Sequence, residues 1–290
     1  MPQHRRLLIA AALFASAAAS HAATIYSIAN GGGTLVRFDS ATPGAVTIIG
    51  AFSGDTVTLS GMDFRPADGL LYGFSQSGSG IYRVDTQTGA TMLLSTASTG
   101  VGVPQMGIDF NPVPDRMRVV SASDQNLRIN VATGSTNVDG ALNYAAGDAN
   151  FGANPSIIDA AYTNSDQEPA TATTLYYIDE QLDALISTTN PNAGSMNTIG
   201  KLGVNTGRFT GFDIFTSGGN NTAFASLTVG GTPGLYTINL ATGAATLVGA
   251  IAAQDLFGLA VVPGFVPEPG SAALLAAAGL AAFASRRRSA

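Results

Sequence analysis

A short segment recurs along this chain and limits how the chain can fold. Leu35-Val36-Arg37-Phe38-Asp39 returns as Ile81-Tyr82-Arg83-Val84-Asp85, as Leu127-Arg128-Ile129-Asn130 and as Leu235-Tyr236-Thr237-Ile238-Asn239, with a degenerate copy at Leu185-Ile186-Ser187. A glycine turn follows each copy, at Gly44, Gly89, Gly134, Gly194 and Gly243, so successive turns lie 45, 45, 60 and 49 residues apart. Another short apolar run follows each turn, as at residues 46–49 and 245–248. Two further elements precede each segment. One is represented by Leu70-Leu71-Tyr72-Gly73-Phe74 and Leu175-Tyr176-Tyr177-Ile178, the other by Gly61-Met62-Asp63-Phe64, Gly107-Ile108-Asp109-Phe110, Ile158-Asp159-Ala160-Ala161 and Gly211-Phe212-Asp213-Ile214. All are short, rich in β-branched and aromatic residues, and bounded by Gly, Asn, Asp or Pro, which are strand signals. No helical period of useful length appears between residues 23 and 265.

Four short strands per unit of this length is the pattern of a β-propeller blade. Four units are complete. The first lacks its opening strand, and a matching strand stands at the far end, Gly258-Leu259-Ala260-Val261-Val262. The spacing therefore predicts an all-β, five-bladed propeller over residues 23–265, closed by the C-terminal strand pairing into the first blade. Helices are expected only in the two terminal segments. A β-sandwich is the alternative, but it leaves the circularly displaced strand unexplained.

The two ends have a different composition. Arg5-Arg6 is followed by an apolar run over residues 7–19 and then by Ser20-His21-Ala22. This is the three-part layout of a secretory signal peptide, residues 1–22, cut after Ala22 by signal peptidase. At the other end Pro267-Glu268-Pro269 precedes an apolar stretch over residues 270–284, and Arg286-Arg287-Arg288 closes it. As a helix that stretch is about 22 Å long, shorter than a ~30 Å hydrocarbon core. The arginines would stay in the cytoplasm and leave the body outside.

Those three ordered parts resemble a PEP-CTERM sorting tail, over residues 266–290. The resemblance implies recognition and cleavage by an exosortase, with transient membrane contact through residues 270–285. It also implies a Gram-negative producer of exopolysaccharide and biofilm, and a final location in the envelope, on the outer surface or in the extracellular matrix. The body in turn resembles a bacterial domain-of-unknown-function family that often carries this tail. The likeness rests on Gly107-Ile108-Asp109-Phe110-Asn111-Pro112, Arg116-Met117-Arg118-Val119-Val120, Gln125-Asn126-Leu127-Arg128-Ile129-Asn130 and Ala160-Ala161-Tyr162-Thr163-Asn164. It implies propeller architecture and supplies no catalytic residues.

Residue types missing from the body exclude much chemistry. The chain has no Cys, and both histidines, His4 and His21, lie in the leader. That removes Ser-His-Asp and Cys-His catalysis and the usual ligands of zinc, copper and haem. No cofactor is expected. A metal, if one binds, should be hard and oxygen-bound, with calcium first. Residues 23–265 carry 8 basic and 18 acidic side chains, a net charge of −10. Such a surface offers nucleic acid no basic stripe.

Asp63, Asp109, Asp159 and Asp213 hold one equivalent position in four opening strands, and Ala260 holds it in the fifth. Opening strands surround a propeller's channel, so these carboxylates should form a ring. The ring could hold calcium or a cationic group, or supply two carboxylates for glycoside hydrolysis. It could equally clasp neighbouring blades through backbone N–H groups, a role that repetition favours. Asp148 and Asn150 lie in the longest irregular stretch, residues 139–156, and are candidate ligand-facing groups. The loop around Asp166, Gln167 and Glu168 reads as an exposed tip, and the repeat-strand tyrosines Tyr26, Tyr72, Tyr82, Tyr176, Tyr177 and Tyr236 as blade packing. Two functions fit. The first is a non-catalytic propeller that binds polysaccharide or serves as a structural part of the matrix, with no catalytic residue assigned. The alternative is a carboxylate-dependent, glycan-active enzyme with its site at the channel.

Overall fold

Each repeat strand has an apolar face to bury, and a lone four-stranded sheet of this size cannot bury it. Stacking sheets face to face around an axis does. In the computed structural model, which describes residues 22–263 other than 56, 104 and 166–170, five such sheets form a closed ring of blades. The first blade joins Thr24–Ala29, Thr34–Asp39 and Thr42–Ala51 to Phe257–Val261, which is its innermost strand. Tyr26 faces Ala260 and Ile25 faces Val261 across that closing pair. The displaced opening strand therefore sits where the repeat requires it.

The inner strands of the remaining blades are Gly61–Arg65, Met106–Asn111, Ile157–Tyr162 and Thr210–Ser217. Each is followed outward by three antiparallel strands. The outermost strands of these four blades are Ala90–Thr96, Thr136–Val138, Ser195–Lys201 and Ala245–Ala250. Blades two and four gain a fifth, parallel edge strand, Ser53–Gly54 and Asn143–Tyr144. The second of these lies inside the stretch read as irregular. In both places the chain leaving one blade runs along the rim of the next and covers an open edge. The described helices are two three-residue 3₁₀ turns, Ser77–Ser79 and Pro191–Ala193. Among the described residues no helix is long and apolar enough to cross a membrane. The apolar runs of both terminal segments lie outside the described residues.

The core lies between blades. Tyr26 meets Phe64 edge to face at 5.7 Å, joining blades one and two, and Tyr72 meets Phe110 in the same way at 5.4 Å, joining two and three. Tyr26, Tyr72, Tyr177 and Tyr236 are buried, Tyr82 and Tyr176 half-buried. Full burial of a large apolar side chain contributes about 1.5–3 kcal/mol, so these contacts hold adjacent blades in place. The recurring turn glycine has a second reason beyond the turn. Gly134 has φ 72°, and a Cβ there would collide with the backbone carbonyl of Thr96 on the preceding blade. Gly243, with φ 82°, meets Gly200 in the same manner. At these positions the turn tucks against the outer strand of the blade before it, and only hydrogen fits.

Candidate functional site

The five inner strands pack side by side around the axis and bring the four aspartates into one buried girdle. Each carboxylate ties its own strand to the next blade. Asp63 accepts the Phe64 N–H at 2.6 Å and, from blade three, the Phe110 N–H at 2.9 Å. Asp159 accepts Ala160 N–H at 2.9 Å and Phe212 N–H at 2.7 Å. Asp213 accepts Ile214 and Val261 N–H, both at 2.6 Å. Asp109 reaches forward to the Tyr162 N–H at 2.9 Å, and its other oxygen meets no donor from the protein among the described residues. Ala260 leaves the junction between blades one and two without a clasp.

Burial pushes all four carboxyls above the usual range, and for Asp63, Asp109 and Asp159 repulsion from the other girdle carboxylates adds to it. Asp213 is raised to about 7. The backbone donors pull the other way without overcoming desolvation. Beside Asp63, Asp213 and Pro263 the channel narrows to a cavity of about 10 Å³, the room of roughly one water. Among the described residues no group of three or more carboxylates converges as metal ligands would.

At the other end of the axis the channel opens into a cavity of about 240 Å³. All five blades contribute to it, through Phe257, Ser60, Met106, Ile158 and Arg208. A second hollow of about 190 Å³ adjoins it across Ser60 and Phe257. These residues begin or precede the inner strands, so their signal in the sequence is the position just ahead of each repeated aspartate. The reading of the repeat singled out the aspartates and missed them.

A third feature lies between blades three and four. Arg118 stands opposite Asp109 in the strand ladder, where Tyr26, Tyr72, Ile178 and Phe224 stand in the other blades. It is 1% exposed. Its guanidinium donates to Asp139 at 2.7 Å, Asn126 at 2.7 Å, Asn192 at 2.8 Å and the Tyr162 hydroxyl at 3.1 Å. Arg128 donates to the same Asp139 through two nitrogens, at 2.6 and 2.9 Å. Burial raises the Asp139 carboxyl, but the two guanidinium groups outweigh that and hold it below the usual range. Arg128 and Asn192 open onto a cleft of about 450 Å³.

DUF4394, a domain of unknown function, matches residues 7–260. The chain belongs to this family. The PEP-CTERM protein-sorting motif matches residues 265–288, so this DUF4394 protein is exported and sorted by an exosortase to the cell surface or the extracellular space. No curated protein matches it. Among solved structures it is similar to a chain of a nidogen/laminin complex, at 11% identity and TM-score 0.48, covering 83% of this chain and 98% of that one. It is also similar to a protein of unknown function from Bacteroides thetaiotaomicron, at 14% identity and TM-score 0.47, covering 77% and 55%. A protein from Lactobacillus plantarum gives 16% identity and TM-score 0.45, covering 82% and 71%.

In the DUF4394 propeller Asp148 and Asn150 stand apart from the girdle, on the rim of blade four. Asp148 accepts the Thr198 N–H at 2.6 Å and its hydroxyl at 2.9 Å, and Asn150 donates to that hydroxyl at 2.9 Å. Burial raises the Asp148 carboxyl, yet the Thr198 and Asn150 N–H groups bring it below the usual range. Both side chains staple the 139–156 loop to the outer strand. Pro267, Glu268, Pro269 and Arg286 to Arg288 lie outside the described residues, as do Asp166, Gln167 and Glu168.

Proposed function

We propose that this exported propeller is a non-catalytic binding or structural protein of the envelope or extracellular matrix, associated with the exopolysaccharide and biofilm of a Gram-negative producer. On this reading signal peptidase removes residues 1–22. Residues 23–265 are the working body, and residues 266–290 touch the membrane at 270–285 until an exosortase acts. One observation carries the non-catalytic part. Seven of the eight girdle carboxylate oxygens accept backbone N–H groups, and on the side of Asp63, Asp213 and Pro263 the space of about 10 Å³ admits no sugar. A glycosidase needs two carboxylates open to the scissile bond, at unequal pKa.

The enzyme reading keeps one point in its favour, since Asp213 lies near neutrality while buried among other acids. The two readings separate in one experiment. The purified protein is incubated with the producing organism's own exopolysaccharide, with calcium and with chelator, and both co-sedimentation and new reducing ends are measured. Co-sedimentation without new ends is the expected result, and calcium dependence would bring Asp63, Asp109, Asp159 and Asp213 back as ligands. New ends that vanish in Asp213→Asn would replace the binding reading with the enzyme.

A further inference from the structure

We propose that the cleft between blades three and four binds the carboxylate-bearing sugars of an acidic polysaccharide. The inference rests on the polysaccharide reading above and adds its site and its ligand class.

Charge is the first ground. Arg118 and Arg128 both pair with Asp139, and no second acid joins them among the described residues. The cluster therefore keeps one positive charge in a body whose net charge is −10. Asp139 is 7% exposed and Arg118 1%, so water screens the excess poorly. The girdle supplies no compensating bond, because Asp109 accepts the Tyr162 N–H instead.

The outlet for that charge is the second ground. Arg128 is 28% exposed and lines the cleft. Its Nε and Nη2 are held by Asp139, which fixes the plane of the guanidinium, and its Nη1 bonds nothing among the described residues. A carboxylate approaching that free edge meets a preoriented donor.

The remaining lining fits a sugar better than a bare anion. Thr173, Thr189 and Asn190 present hydroxyl and amide groups with no side-chain bond inside the protein among the described residues, while Val113 and Pro114 offer an apolar patch. Scattered donors and acceptors beside an apolar face match the hydroxyls and C–H face of a pyranose ring. A phosphate site would instead gather its donors at one point. The cleft's 450 Å³ lies within the usual range for small-ligand pockets.

The test titrates the full chain with trigalacturonate, with the same trimer after carboxyl reduction, and with inorganic phosphate. Arg128→Gln and Thr189→Tyr are compared with the wild type. Arg128→Gln leaves Asp139 paired with Arg118, and Thr189→Tyr fills the cleft from an exposed turn, so one variant serves if the other fails to fold. Trigalacturonate should bind, at least tenfold more tightly than its reduced form, and either variant should weaken it at least tenfold. Equal affinity for both trimers, no binding of either, unchanged binding in both folded variants, or displacement by equimolar phosphate would each overturn the proposal. Native exopolysaccharide binding that survives both variants would sink the cleft while sparing the broader reading. Absence of that binding in the wild type would remove the broader reading itself.

Discussion

The girdle at the axis and the cluster between blades three and four treat buried charge in opposite ways. Four carboxylates share the girdle and none of them forms an ion pair among the described residues, yet carboxylates can take up protons, and burial drives them to do so. Backbone N–H groups absorb what charge remains. The outer cluster holds two guanidinium groups on one carboxylate, and a guanidinium cannot shed its proton in a protein. Among the described residues no second acid pairs with it, so one positive charge is left over. The girdle repeats in four blades, as a scaffold does, whereas Arg118 puts a charge at a position that Tyr26, Tyr72, Ile178 and Phe224 hold in the other blades. Repetition marks what holds the ring together, and its interruption marks where the ring differs from a plain support.

Breaking the outer cluster should have the larger effect. Arg118→Met strips Asn126, Asn192 and the Tyr162 hydroxyl of their shared donor and leaves Asp139 half-paired. Removing one partner of a buried pair costs about 3–5 kcal/mol, read as a lower urea midpoint. In the girdle, Asp159→Asn keeps one acceptor and points an amide at the second N–H, at a cost of about 1–3 kcal/mol for the orphaned donor. If Asp159→Asn proved the more damaging, the contrast between a clasp and a charged core would be reversed. If it cost nothing, the girdle would not be a scaffold.

Much of this architecture was legible in the chain. Alternation and glycine turns gave five blades, and the missing first strand reappeared as Phe257–Val261 because ring closure demands a partner for Thr24–Ala29. The girdle positions were legible too, since the aspartates recur at one place in the repeat. The two edge strands were not, because two-residue parallel bridges follow the path between blades and leave no alternation to read. The outer cluster was invisible for a related reason. Arg118 lies 21 residues from Asp139 and 74 from Asn192, and only blade packing brings them together.

Proton uptake sharpens the comparison at its smallest scale, through two carboxylates of opposite sign. Asp213 has a folded pKa raised from 3.8 to about 7, so the native state holds its proton more tightly than the unfolded chain does. Its stabilising contribution is complete below about pH 4 and is lost as pH rises toward 7. Melting temperature should therefore rise as pH falls from 8 to 5, and Asp213→Asn should flatten that slope. Asp148 is depressed below 3.8, so its smaller contribution is present above that value and fades as pH falls through the folded pKa. Asp148→Asn should leave the neutral-to-acid slope intact and remove a loss confined to pH below about 4. It should also free the 139–156 loop from Thr198, seen as faster amide exchange at Thr198 and Asn150. A flat profile in the wild type would mean that the girdle stays ionised, with its backbone donors outweighing burial, and the clasp would then be electrostatic at every pH.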